Sequence, residues 1–84
     1  MLQQNSCPKA CRCREDYTII ICNNAGLRHV PKDLPDTALT IDLSHNHIRE
    51  LNREDFRNCS KVREIKLNHN ELTQLDREVE VFFF

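Results

Sequence analysis

The sequence predicts an α/β-type solenoid: short parallel strands along a concave side, coils stacked one on another, and a braced first end. Three observations carry this expectation. Two stretches, ALTIDLSHNHIREL (Ala38–Leu51) and VREIKLNHNELTQL (Val62–Leu75), align at an offset of 24 residues. Within each, apolar and polar residues alternate as a strand with one buried face requires. Four of the five cysteines lie within residues 7–22, ahead of the first full copy.

Each element of the repeat has a physical reason. Apolar residues recur at Ala38/Val62, Ile41/Ile65, Leu43/Leu67, Ile48/Leu72 and Leu51/Leu75, and asparagine recurs at Asn46/Asn70. Ile41, Leu43, Ile65 and Leu67 point inward on short strands, and stacking the coils buries them as one apolar column. Asn46 and Asn70 are expected to be structural, turning inward to satisfy backbone groups that would otherwise be buried without partners. Phe56 and Cys59 fill the convex side of the first full repeat. A fainter copy, YTIIICNNAGLRHV (Tyr17–Val30), fits the same template at an offset of 21, with Ala25 in place of the asparagine. Its inward residues are Ile20, Cys22, Leu27 and Val30, which makes it a starter coil. The VPKDLP that follows is an extended connection, its prolines fixing φ.

The template reads L-x-x-L-x-L-x-x-N-x-L-x-x-L, and it is led by C-x3-C-x-C-x8-C and L-x-x-V-P-x-x-L-P. Together these resemble the N-terminal cysteine-rich cap and first repeats of extracellular leucine-rich-repeat proteins, a group that includes Slit-like, LRIG-type and small leucine-rich proteoglycan ectodomains. The resemblance runs from about Cys7 to Leu75. It implies residues 1–6 as a flexible N-terminus, 7–35 as cap and starter coil, 36–75 as repeats (38–61 and an incomplete 62–75), and 76–84 as a divergent apolar tail.

On the residues alone, four cysteines allow three pairings. The resemblance implies Cys7–Cys13 and Cys11–Cys22, closing the open end of the column covalently. Zinc fits less well. It prefers C-x2–4-C knuckles with a second pair or histidines, whereas one residue separates Cys11 from Cys13 and Cys22 lies in an apolar strand. The fifth cysteine, Cys59, reads either as a small apolar side chain at a leucine position or as one half of a disulfide with another molecule or with sequence beyond Phe84. It also sits inside Asn58-Cys59-Ser60, an acceptor triplet that makes Asn58 a candidate glycosylation site.

Alternation places Thr40, Asp42 and Ser44, and one coil later Glu64, Lys66 and Asn68, on the concave side as a candidate binding face. Asp42 and Lys66 hold one repeat position, where complementary charges form a solvated ladder. His45 and His69 share another, with His47 two residues on. No carboxylate or cysteine completes a set of metal ligands with them, so no metal and no cofactor is expected. The REDYT and NREDF segments read as solvated loops. No catalytic constellation appears: with one glycine there is no phosphate-cradling loop, and none of the serines lies in a glycine-flanked elbow.

Composition narrows the function classes. The 84 residues suffice for one small domain, and 12 Lys+Arg against 13 Asp+Glu leave a formal charge of −1. Nothing in that balance draws the chain to nucleic acid or an anionic membrane. The apolar run Val79–Phe84 is far shorter than the roughly 20 residues a membrane helix needs. Met1–Ser6 has no apolar core of a signal peptide, so the expectation is either that a leader was removed and a start methionine supplied, or that the sequence is an excerpt of a longer chain. The expectation is a non-catalytic extracellular module that binds a protein ligand, at the N-terminal end of a receptor, adhesion, guidance or matrix ectodomain. The alternative is a purely structural cap, with ligand bound by later repeats. The apolar C-terminal end is expected to drive self-association or misfolding unless the tail folds back as a makeshift cap.

Overall fold

The computed structural model describes residues 6–75, with Gln74 and Leu75 by their backbone alone. The expected apolar tail, and the self-association assigned to it, lie outside the described residues.

Three short strands stack in parallel and in register: β2 (Ile19–Ile21), β3 (Thr40–Asp42) and β5 (Glu64–Lys66). Their central residues Ile20, Ile41 and Ile65 stand opposite one another and are 0%, 0% and 7% exposed. β-branched side chains suit such a half-buried pleated surface. The parallel ladder runs on past the strands: Cys22 N donates to Asp42 O at 2.8 Å, Leu43 N to Lys66 O at 2.8 Å, and His45 N to Asn68 O at 3.0 Å. Cys22, Leu43 and Ile48 continue the buried column, with Leu67 and Leu72 partly buried against it. On the convex side helix is limited, among the described residues, to one 3-10 turn, Arg53–Phe56. Phe56 and Cys59 close the core there, together with Leu34 and Ala38.

Asn46 and Asn70 hold the turns that follow the strands. The Asn46 Oδ1 accepts the Ala25 and Leu27 amides at 3.0 and 2.9 Å. Its Nδ2 donates to the carbonyls of Cys22, Leu43 and Ser44 at 3.0, 2.9 and 3.2 Å. One buried side chain thereby serves five backbone groups on two coils. Asn70 repeats the arrangement more sparsely, accepting from Ile48 N at 2.9 Å and donating to Leu43 O and Leu67 O at 2.8 and 3.1 Å.

Two features were not legible as strands. The cap contributes β1 (Arg12–Arg14), which pairs antiparallel with β2, and the loop side carries a second sheet, β4 (Glu50–Leu51) with β6 (Gln74–Leu75). Arg-Cys-Arg has no strand signal of its own. Disulfides pin it: Cys11 is bonded to Cys22 with Cα atoms 4.2 Å apart, and Cys7 to Cys13 with Cα atoms 5.9 Å apart. Cys11 and Cys22 stand one step beyond the Arg12–Ile21 pair, so the first bond clamps the end of the antiparallel ladder. Between β1 and β2 the chain reverses through Glu15, Asp16 and Tyr17, all left-handed at φ 54°, 56° and 64°.

Candidate interaction surface

With Ile20, Ile41 and Ile65 turned inward, the flanking side chains of the four strands form two rows across the concave sheet. The registers align Arg12, Ile21, Asp42 and Lys66 in one row and Arg14, Ile19, Thr40 and Glu64 in the other. The face therefore begins with two arginines, continues through an apolar ridge, and ends in mixed polar groups. Ile19 is 36% exposed, the one large apolar side chain so exposed among the described residues. Sequence reading missed Arg12, Arg14, Ile19 and Ile21. The signal was present in TIIIC, where the inward set Ile20 and Cys22 forces Ile19 and Ile21 to the opposite face.

The residues that sequence reasoning placed on this face are not equivalent. Thr40 and Asp42 are half-buried, while Glu64, Lys66 and Asn68 are exposed. Ser44 is buried, 6% exposed, because its hydroxyl donates to Asp42 Oδ1 at 2.6 Å and its amide to the same oxygen at 3.0 Å. Asp42 thus caps its own turn instead of forming an ion pair with Lys66.

The three histidines have separate settings. His45 and His69, like Asn24 one coil earlier, take left-handed backbone at φ 58°, 62° and 53°. The repeated backbone stacks the two imidazoles, with centroids 4.3 Å apart and planes 11° from parallel. Among the described residues no three His, Cys, Asp or Glu side chains gather as a metal-holding group.

His47 lies on the loop side, its Nδ1 2.8 Å from Glu71 Oε2. The two residues border an open groove of about 780 Å³, with Arg28, Arg49 and Glu50 on its walls. The hydrogen bond from His47 holds the Glu71 carboxyl below its ordinary range, and positive charge on His47, Arg49 and Arg28 adds to the effect. A depressed carboxyl pKa contributes stability above the unfolded value and loses it as pH falls through the folded one. His47→Gln is accordingly expected to raise the titration midpoint of the Glu71 carboxyl carbon in NMR. An unmoved midpoint would show that His47 does not set it.

The sequence and fold have counterparts among known proteins. Residues 17–72 match the family model described as leucine rich repeat. Leucine-rich repeat-containing protein 3 of Danio rerio is 33% identical over 73 residues, covering 84% of this chain and 27% of that protein. Human leucine-rich repeats and immunoglobulin-like domains protein 3 is 35% identical over 69 residues, 82% of this chain and 6% of that protein. Amphoterin-induced protein 3 of Rattus norvegicus is 36% identical over 75 residues, 89% of this chain and 14% of that protein. The chain therefore spans well under a third of the relatives it matches. In fold it is similar to human 5T4 (trophoblast glycoprotein), with a TM-score of 0.54 and 23% identity over 86% of this chain and 35% of that one. A 24-residue repeat, in-register parallel strands and an asparagine joining each coil to the one before meet the family's pattern. The chain belongs to the leucine-rich repeat family.

Proposed function

We propose that this chain is the capped N-terminal end of an extracellular protein-interaction module, and that it meets its partner through the concave sheet. The observation that carries this reading is the apolar ridge of exposed Ile19 and half-buried Ile21, set between Arg12 and Arg14 on one side and Thr40 and Asp42 on the other. Such a face suits a protein that presents an apolar side chain beside carboxylates. The two disulfides support an oxidising, extracellular setting. The relatives' names, which include a leucine-rich repeat-containing G-protein coupled receptor 6 of Danio rerio, agree with a receptor role for the parent. No described helix is long and apolar enough to cross a membrane.

Size favours a second reading alongside the first. Four strands at ~4.8 Å spacing and about 10 Å long offer roughly 150 Å² of projected face. That is well below the ~800 Å² per partner of a stable interface. On this reading the segment shields the column, and later coils of a longer protein supply most of the contact.

Purified cell-surface and matrix ectodomains, titrated against this chain and against a parent ectodomain containing it, separate the two. Binding to this chain that falls at least tenfold with Ile19→Asp, but not with His47→Gln on the loop side, supports the concave face. Binding by the longer ectodomain alone, indifferent to Ile19→Asp, supports the cap.

A further inference from the structure

The convex side carries a motif that the interaction reading leaves unused. The sequence contains one Asn-x-Ser/Thr triplet with a non-proline centre, Asn58-Cys59-Ser60. It lies in the turn after the 3-10 helix, with Asn58 and Ser60 exposed and Cys59 between them buried. The core takes the central residue alone: Cys59 Sγ donates to the Pro35 carbonyl at 3.6 Å, and its thiol is pushed up first by burial and then by the Asp36 charge. Cys59 is therefore a neutral filler, and the two residues an oligosaccharide-transferring enzyme reads are left outside. The Asn58 amide has no hydrogen bond to a described residue. It borders two shallow clefts of about 240 and 290 Å³, both walled by Lys32, one reaching Leu34 and Pro35 and the other Val30 and Pro31. A sugar on Asn58 has open space on both sides and apolar ring surface to lie against.

We propose that Asn58 is an N-glycosylation site whose glycan covers the convex side and leaves the concave sheet free. The Asn58 Nδ2 forms a bond to the anomeric carbon of an oligosaccharide carried on a lipid pyrophosphate. The bond from that carbon to the pyrophosphate oxygen breaks, the lipid pyrophosphate leaves with the electron pair, and the amide gives up one proton. No oxidant or reductant is involved. Side-chain placement keeps the two faces apart: Ile19 and Ile21 flank the inward Ile20 on the sheet, whereas Asn58 flanks Cys59 on the opposite wall of the same core.

The proposal rests on the extracellular reading, and the two are tested by different readouts. The 84-residue chain, translated behind a cleavable secretory leader in the presence of endoplasmic-reticulum microsomes, is followed by leader cleavage and protease protection. The expected result is a single-step mobility shift, reversed by peptide N-glycosidase with conversion of Asn58 to aspartate in the mass spectrum. Asn58→Gln and Ser60→Ala abolish the shift, and Ser60→Thr increases the modified fraction. A leader-cleaved, protected chain that runs unshifted, for both the parent and the Ser60→Thr variant, overturns the proposal. Non-reducing peptide mapping of the same material reports on the setting. Oxidised Cys7–Cys13 and Cys11–Cys22 in an unshifted chain count against the glycan alone. A shifted chain with four free thiols in that window keeps the glycan and counts against the extracellular reading.

Discussion

Asn46→Ala is expected to destabilise the chain by about 3 kcal/mol, and by more than Asn70→Ala, for which about 1–2 kcal/mol is expected. An unpartnered buried polar group costs ~1–3 kcal/mol. Asn46 serves five backbone groups and is 4% exposed, whereas Asn70 serves three and is half-buried. The costs do not simply add, because the Ala25 amide lies at an exposed residue where water can replace part of the loss. Urea unfolding at constant m-value measures both variants. Asn46→Asp is the sharper control: it keeps the acceptor for Ala25 and Leu27 but turns a carboxylate toward the carbonyls of Cys22, Leu43 and Ser44. It should be no better than alanine. An aspartate variant as stable as the parent, or equal losses at Asn46 and Asn70, would show that these bonds do not set the junction's strength.

Loss of the Cys11–Cys22 bond is expected to cost about 3 kcal/mol, and loss of Cys7–Cys13 somewhat less. Chain entropy alone predicts roughly 2.8 kcal/mol for the longer loop and roughly 2.2 kcal/mol for the shorter, from sequence separations of 11 and 6. Position widens the gap. Cys11–Cys22 closes the end of the β1–β2 ladder at a fully buried residue, while Cys7 is only half-buried. A domain of this length has roughly 4–13 kcal/mol of net stability, so the first bond carries a large share of it. Paired alanine variants, Cys11→Ala with Cys22→Ala and Cys7→Ala with Cys13→Ala, are compared by thermal melting and amide exchange. Exchange at Ile20 and Ile41 should accelerate in the first pair more than in the second. The reverse order would place the keystone of the cap at Cys7–Cys13.

Much of the candidate face could be read from the chain because a strand's side chains alternate regardless of context. Once Ile41 and Ile65 are inward, Thr40, Asp42, Glu64 and Lys66 are outward. The same rule turns Ile19 and Ile21 to the outer face, which reading the starter coil only for its buried set passed over. Arg12 and Arg14 were beyond reach for a different reason. β1 is a strand only because the Cys11–Cys22 bond holds it against β2, and local propensity carries no trace of a covalent constraint made elsewhere. Ser44 shows the opposite limit. Alternation counted two residues past the end of β3, where the backbone already turns into left-handed His45 and Asp42 captures the serine hydroxyl.

The repeat, its inward column and the two asparagines at the turns are written in the residues of each coil. Burying one face of a short strand and satisfying the backbone beside it leave few residue types to choose from, and they recur at a fixed interval. The packed fold was needed for what depends on a covalent bond or on two coils at once. It set the antiparallel cap strand, the second sheet between Glu50–Leu51 and Gln74–Leu75, the stacking of His45 on His69 and the reach of His47 to Glu71. The last three are distances between residues 24 apart in the chain, whereas the cap strand is set by the Cys11–Cys22 bond. Such distances follow from how closely successive coils stack, and not from the residues of any one coil.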